Sequence, residues 1–475
     1  MKLIKSLAGQ FGFSVVLALV QLLQLNIMYK NLTEVELGLY AILMIQIVIV
    51  QALCDSGVSS FCLSRGNLGK SFNSVVHVFT VAMSLVISIV SLIIGLILSV
   101  FYSNYELFEF SVLLFSGFTV LTLVSFYQYI LIVKMRLVLI SFYDVLSRTI
   151  SLIFLSVFFY LNMGLYSFVF SWLIFCFTKF FLYYMSAKKE VDFKFFTSLR
   201  KRDVVIFKSI FRFSTYQLLA QGLNSFATKV DEVLIGKILG IEKLGIYSLF
   251  KNLIVQIGFL VLPIVRRTTI PLLQKNKTMN FFKLTNIMTT TGIFFYFSGI
   301  AIVSSQIIEN IYSSELLIYT YSFICLAIAW ALRLSAGTLL ASLFVVIKKP
   351  EYELYWNLLQ FLSLSAFFFI FWPESIFEAT LMLIYGYLFS FLFLNSLFLF
   401  FIYRKLFDVI FLNGFLFFYI LIMSGIVYLL SGLFNEGDWI SILSSILSYL
   451  GLGGCIALIL YKLIYIKLKG SEYAL

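Results

Sequence analysis

Apolar runs of about 20 residues, the length of helix that crosses a bilayer, recur along the whole of this 475-residue chain, separated by short polar breaks. No other feature narrows the fold so far. In hydrocarbon every backbone N–H and C=O must be satisfied within the protein, so runs of this length cross as α-helices. The composition agrees: 62% apolar and 12% charged residues, with a mean hydropathy of +1.04, do not suit a soluble core. The sequence describes an all-α integral membrane protein.

About fourteen spans fit, the first centred near residue 18 and the last two near 420 and 453. The first has only Lys2 and Lys5 ahead of it and no small-residue cleavage site, so it reads as a retained helix. Alternate breaks collect cations: Arg65 and Lys70, Lys134 and Arg136, Lys188 through Lys208, Arg266 and Arg267, Lys348 and Lys349, Arg404 and Lys405. The intervening breaks carry Glu34, Glu36, Glu106, Glu109, Glu309, Glu315, Glu374 and Glu378. That asymmetry predicts both termini in the cytoplasm. It also accounts for the net charge of +12, so no nucleic-acid partner is expected. The five cysteines, Cys54, Cys62, Cys176, Cys325 and Cys455, sit within or at the ends of apolar runs without disulfide or metal-site spacing. They read as small core residues, and no metal site is expected.

The longest polar stretch, Ala187 to Arg212, follows the sixth span and predicts a cytoplasmic linker at 191–208 between lobes at 1–190 and 209–405, with two further spans in 406–475. The lobes share sequence. "FGFSVVLALVQLLQ" (Phe11–Gln24) aligns with "FRFSTYQLLAQGLN" (Phe211–Asn224), and "KNLTEVELGLY" (Lys30–Tyr40) with "KILGIEKLGIY" (Lys237–Tyr247) after seven inserted residues. Coincidence among Leu- and Phe-rich helices is the alternative, but shared Gln, Ser and Gly positions favour repetition. A repeat of six spans keeps its orientation, which predicts two parallel six-helix lobes related by an axis along the membrane normal. The inserted residues fall in the region of Lys229, Asp231 and Glu232, so this charged cluster belongs to the second copy alone.

Within the seventh span Gln217, Gln221, Asn224, Thr228 and Asp231 recur at spacings of four, three, four and three, one face of a helix. Gln10, Ser14, Gln21 and Gln24 form a thinner stripe on the first span. Lipid offers amides no partners, so both stripes should face protein or a wet cavity, as cavity lining or as polar glue between lobes. Arg333 has apolar sequence on both sides and falls near mid-membrane, where an arginine costs about 2.5–3.5 kcal/mol even on the lenient insertion scale. Ala329, Gly337 and Ala341 share its face and would leave room around it; an ion pair with Asp55 or Asp231 is its structural alternative. Lys251 either joins such a cavity or snorkels outward. Asp144 and Arg148, four apart, suit a helical salt bridge. His77, the only histidine, reads as interfacial.

Cations among amides suit an anion decorated with hydroxyl groups, because arginine grips phosphate oxygens bidentately while Gln and Asn suit sugars. Arg333, Lys229, Lys251 and Arg148 are the candidate cationic contacts. Gln21, Gln24, Gln217, Gln221, Asn224 and Thr228 are the candidate polar lining. A lipid-linked sugar diphosphate fits both sets and keeps its tail in the bilayer.

"DEVLIGKILGIEKLGIYSL" (Asp231–Leu249), "VLPIVRRTTIPLL" (Val261–Leu273), "CDSGVSSFCLSR" (Cys54–Arg65) and "FVVIKKPEYE" (Phe344–Glu353) carry a family resemblance. The chain resembles the Wzx-type lipid-linked oligosaccharide flippases, the polysaccharide-exporter branch of the multidrug/oligosaccharidyl-lipid/polysaccharide (MOP) superfamily. The resemblance implies alternating access, a cationic central cavity, and outward flipping of an oligosaccharide on a polyprenyl diphosphate in the bacterial cytoplasmic membrane. Membrane lipids, a polysaccharide polymerase and chain-length proteins would be its neighbours. It implies no cofactor and no catalysis, but leaves coupling to a proton or sodium gradient open, with Asp231, Glu232 and Asp55 as candidate residues. A drug or cation exporter of the same superfamily and a peptidoglycan-precursor flippase are the near alternatives. A membrane polymerase or acyltransferase would need acid–base residues in a sizeable loop, which the short outer breaks do not provide.

Overall fold

A computed structural model of the chain describes residues 2–54, 58, 70–134, 136–188, 201–255, 279–347 and 349–404. Among these residues the regular elements are helices: α1 (Lys2–Asn31), α2 (Glu34–Cys54), α3 (Lys70–Tyr102), α4 (Glu106–Val133), α5 (Leu137–Tyr160), α6 (Tyr166–Ala187), α7 (Lys201–Ile238), α8 (241–255), α9 (Met279–Ile302), α10 (Ser304–Ile311), α11 (Thr320–Val346), α12 (Pro350–Phe371), α13 (Ile376–Phe389) and α14 (Asn395–Tyr403). A π-helical turn at Ser390–Leu394 joins the last two.

Eight helical segments among the described residues are long and apolar enough to cross a membrane, and a ninth is counted if α9 and α10, bent by 60°, form one broken span. The protein is therefore a multi-pass membrane protein. α7 is not among the eight although it runs for 38 residues, because its polar stripe and charged cluster lower its hydropathy. The spans expected near 420 and 453 lie outside the described residues.

Local chemistry sets the helix ends. Thr33 donates its amide and hydroxyl to Glu36 Oε2 at 2.9 and 3.0 Å, and the Glu36 amide donates to Thr33 Oγ1 at 3.3 Å, a capping box that opens α2. In the second copy the aligned position is Gly240, whose φ of +95° turns the chain sharply from α7 into α8. Pro350 opens α12, where its missing N–H costs nothing. Ser375 caps α13 by accepting from the Glu378 amide at 3.2 Å.

The chain divides into two compact units, Met1–Leu249 and Phe250–Leu475. In the first, α3 packs on α4, α4 and α5 on α6, α1 on α5, and α2 on α7. In the second, α11 packs on α9 and α13, with α12 beside α13. Buried polar side chains in the first unit link helices: Gln46 Nε2 donates to the Ser91 carbonyl at 2.9 Å, and Ser111 Oγ donates to Gln46 Oε1 at 2.8 Å. One amide thereby joins α2, α3 and α4 where lipid could not satisfy it.

Candidate functional site

The charged cluster of α7 is buried and internally bonded. Lys229 Nζ lies 2.6 Å from Glu232 Oε1, three residues along the helix, and Glu232 is fully buried. The turn at Gly240 folds α8 back so that Tyr247 donates its hydroxyl to Asp231 Oδ2 at 2.5 Å. The structure thus brings together Lys229, expected as a substrate contact, and Glu232, expected as a coupling group. Removing one partner of such a buried pair typically costs about 3–5 kcal/mol. Tyr247 was not singled out from the sequence, although it is the repeat counterpart of Tyr40.

The stripe residues lie on one continuous helix, as their spacing predicts. Gln217 and Gln221 are half-buried, Asn224 is exposed, and Thr228 Oγ1 bonds back to the Ser225 carbonyl at 2.7 Å. Gln221 Oε1 is buried with no partner among the described residues. On α1, Gln24 is buried and Gln21 half-buried. Asp55, and the side chains of Gln10 and Ser14, lie outside the described residues.

In the second unit Arg333 is 9% exposed. It donates from Nη1 to the Tyr387 hydroxyl at 3.1 Å, and its guanidinium carbon stands 4.6 Å from the Trp330 ring centre and 5.5 Å from that of Tyr387. Among the described residues no carboxylate forms an ion pair with it. Lys251 is 2% exposed and its Nζ is 5.5 Å from the same Trp330 ring, so it lies inside the unit and does not snorkel. One indole therefore faces two cations. The room expected at Gly337 is taken up, since a Cβ there would lie 3.1 Å from the Trp356 ring. The buried Trp330 Nε1 beside these two cations has no hydrogen-bond partner among the described residues; Ser335 Oγ on the same helix and Gln360 Nε2 on α12 are also buried and unpartnered among them. Trp330 and Tyr387 are site residues that carry no signal as charges. Their aromatic groups become legible only beside Arg333.

A second cationic group lies between α5 and α6. The expected Asp144–Arg148 bridge is not formed: Asp144 Oδ1 pairs with Lys179 Nζ at 2.8 Å and accepts from the Tyr183 hydroxyl at 3.1 Å. Arg148 instead stacks over Phe175 at 4.2 Å, with its buried Nε unpartnered among the described residues. Both side chains face α6, where Lys179 takes the carboxylate and the Phe175 ring takes the guanidinium. Lys179, in the aromatic span α6, carries no signal in the spacing within its own helix; its partner lies on α5.

His77, expected at the membrane interface, lies within the first two turns of α3, buried with Nε2 3.1 Å from the Tyr127 hydroxyl and its ring edge-on to Phe126. Cys54 and Cys176 are buried thiols and Cys325 is a half-buried one. Among the described residues no three His, Cys, Asp or Glu side chains are placed to hold a metal ion.

A family model described as "Polysaccharide biosynthesis protein" matches residues 27–319. The chain belongs to the polysaccharide biosynthesis protein family. Relatives in line with that family are the teichuronic acid biosynthesis protein TuaB of Bacillus subtilis (strain 168), 22% identical over 360 residues, and the amylovoran biosynthesis protein AmsL of Erwinia amylovora, 26% identical over 222 residues. The first match covers 74% of this chain and 73% of TuaB; the second covers 45% of this chain and 54% of AmsL, about half of each. Among solved structures, the lipid II flippase MurJ in an inward closed conformation is similar with a TM-score of 0.69 at 15% identity, covering 98% of this chain and 99% of its own. An inward-facing multidrug resistance MATE family transporter of the MOP superfamily follows at 0.60 and 13%, covering 88% and 99%. The chain therefore shares its helical fold with these two structures, the fold that the sequence resemblance implies.

Proposed function

We propose that the protein is a flippase that carries a polyprenyl-diphosphate-linked oligosaccharide from the cytoplasmic to the outer leaflet of a bacterial cytoplasmic membrane. The observation that carries this reading is Arg333, a guanidinium buried among apolar helices, held by a hydroxyl and an indole and by no described carboxylate. A cation in that setting is costly, and an anion that arrives and leaves offsets the cost without locking the site. Its planar fork suits phosphate oxygens, and the unused donor of Trp330 beside it suits a glycan oxygen. Arg148, freed from Asp144 by Lys179, is a further candidate contact in the first unit. Membership of a polysaccharide biosynthesis family and a fold shared with a lipid II flippase support the same reading.

In this reading both termini are cytoplasmic, the lobes at 1–190 and 209–405 alternate access across the linker at 191–208, and a polymerase with its chain-length proteins takes the product outside. With the cytoplasm negative, each uncompensated negative charge moved outward gains about 2.3 kcal/mol per 100 mV, so a bare diphosphate is driven out by the potential. If its charge is neutralised on the way, a proton or sodium ion must supply the drive, and Asp231, Glu232 and Asp55 are the groups to carry it. The protein acts as a transporter with no bond made or broken. The test is Arg333→Ala in the native host: surface polysaccharide should be lost at normal protein level. Unchanged polymer would refute a role for Arg333 in binding the head group.

A further inference from the structure

The repeat does more than duplicate helices; it brings two of its own equivalent positions into contact. Gly38 and Gly245 occupy the same place in "KNLTEVELGLY" and "KILGIEKLGIY". In the first compact unit they meet backbone to backbone. A Cβ added to Gly245 would lie 2.9 Å from the Gly38 amide nitrogen and 3.1 Å from Leu37 Cβ, and one added to Gly38 would collide with the carbonyl oxygen of Ile241. Only glycine lets α2 and α8 approach so closely, and each copy supplies one.

Two polar contacts flank this crossing. Tyr102, the last residue of α3, donates its hydroxyl to the Val233 carbonyl of α7 at 3.0 Å. Lys237, in the last turn of α7, donates to the Phe101 carbonyl at 2.8 Å and sits 4.8 Å over the Phe101 ring. Phe101 lies in the final turn of α3, where carbonyls have no intrahelical partner and the helix dipole favours a cation. Lys237 and Phe101 are both exposed, so water can replace this contact when it breaks. Within the hairpin the bond from Tyr247 to Asp231 ties α8 to α7, so the two helices move as one piece.

We propose that the Gly38–Gly245 crossing, clasped by Tyr102 and Lys237, is a releasable latch that holds the α7–α8 hairpin of the second repeat copy against α2 and α3 of the first, and that it parts to release cargo outward. The proposal rests on the flippase reading and on its orientation, in which these helix ends lie at the outer side. The closed latch excludes water by glycine contact, and its polar clasps are side chain to backbone, with no ion pair between Lys237 and a described carboxylate. Such a seal is tight when shut and offers water-exchangeable bonds when it opens.

The test uses the full-length chain with its five native cysteines replaced and Leu37→Cys with Gly245→Cys introduced. A Cβ at 245 would lie 2.9 Å from the Gly38 amide nitrogen and 3.1 Å from Leu37 Cβ, under the roughly 3.5–4.5 Å of a disulfide, so the helices must part slightly for the bridge to form, and export by the reduced double variant is the reference. Oxidation in intact membranes should form the bridge and lower polysaccharide export about tenfold, and reduction should restore it. Failure to bridge in a double variant whose reduced form exports normally overturns the crossing; full export by bridged molecules overturns the latch and leaves the flippase reading intact. If the double variant does not accumulate, Gly38→Ala is combined with Leu244→Cys, a buried reporter. A membrane-impermeant maleimide added outside should label it about fivefold faster than in the Gly38 background, because the added methyl wedges the crossing. Equal labelling overturns the latch. Normal surface polysaccharide in a strain lacking the whole chain would refute the flippase reading, while the bridging and labelling results would stand.

Discussion

Lys179 Nζ lies 2.8 Å from Asp144 Oδ1, and by taking that carboxylate it leaves Arg148, one turn further along α5, stacked on Phe175. The pair is partly accessible, its side chains 15% and 28% exposed. Its worth should therefore fall between a surface pair and a fully buried one. Lys179→Ala should lower stability by about 1–3 kcal/mol, and Lys179→Ala with Asp144→Ala should lower it by less than the sum of the two single changes. Thermal unfolding in one detergent across the four proteins measures this. Strict additivity would show that the pair contributes nothing.

Arg333 gives a prediction that separates charge from shape. Lysine keeps the cation but not the planar fork or the stack on Trp330, so Arg333→Lys should retain protein level and lose about tenfold in export. Tyr387→Phe removes only the hydroxyl that orients the guanidinium, and should cost less than Arg333→Lys. Export is scored as surface polysaccharide per cell. Full activity of Arg333→Lys would reduce the residue to a point charge.

The spans were legible because hydropathy is local: a run of apolar residues announces its helix whatever packs beside it, and the Gln217 to Asp231 stripe needed only the helical repeat. The equivalence of Gly38 and Gly245 was legible for the same reason, since it rests on letters in register. What spacing could not give was the choice of partner between helices. Asp144 has Arg148 at the favoured distance within its own helix, yet it pairs with Lys179 of α6, while Arg148 takes the Phe175 ring of the same helix. His77 likewise is buried against Tyr127 and Phe126 on α4, a fact of packing that its place in the sequence does not carry. Trp330 and Tyr387 looked like ordinary apolar bulk until their positions beside Arg333 gave them roles.

Asp231 and Gln217 lie on one face of α7 and invite a paired comparison. Gln217 is half-buried, whereas Asp231 is buried and bonded to Tyr247 at the hairpin. Asp231→Asn keeps the volume and removes the charge, so it should weaken transport more than Gln217→Ala. The comparison is made at matched protein level in the same host. Equal activities would remove Asp231 from ion coupling and leave it a hairpin tie.

The Lys229–Glu232 pair allows stability and transport to be read apart. Glu232→Leu removes the carboxylate 2.6 Å from the buried Lys229 ammonium and should cost about 3–5 kcal/mol, seen as low protein level and an early unfolding transition. Replacing both, with Lys229→Met and Glu232→Leu, removes that ammonium as well and should recover most of that loss, because an apolar pair of similar volume is often as stable as the ion pair it replaces. If the double variant folds yet exports at less than about a tenth of the normal rate, the ions serve transport, since the fold has managed without them. If it folds and exports normally, Lys229 is neither a cargo contact nor part of the coupling machinery, and the pair is a means of holding two charges where lipid cannot.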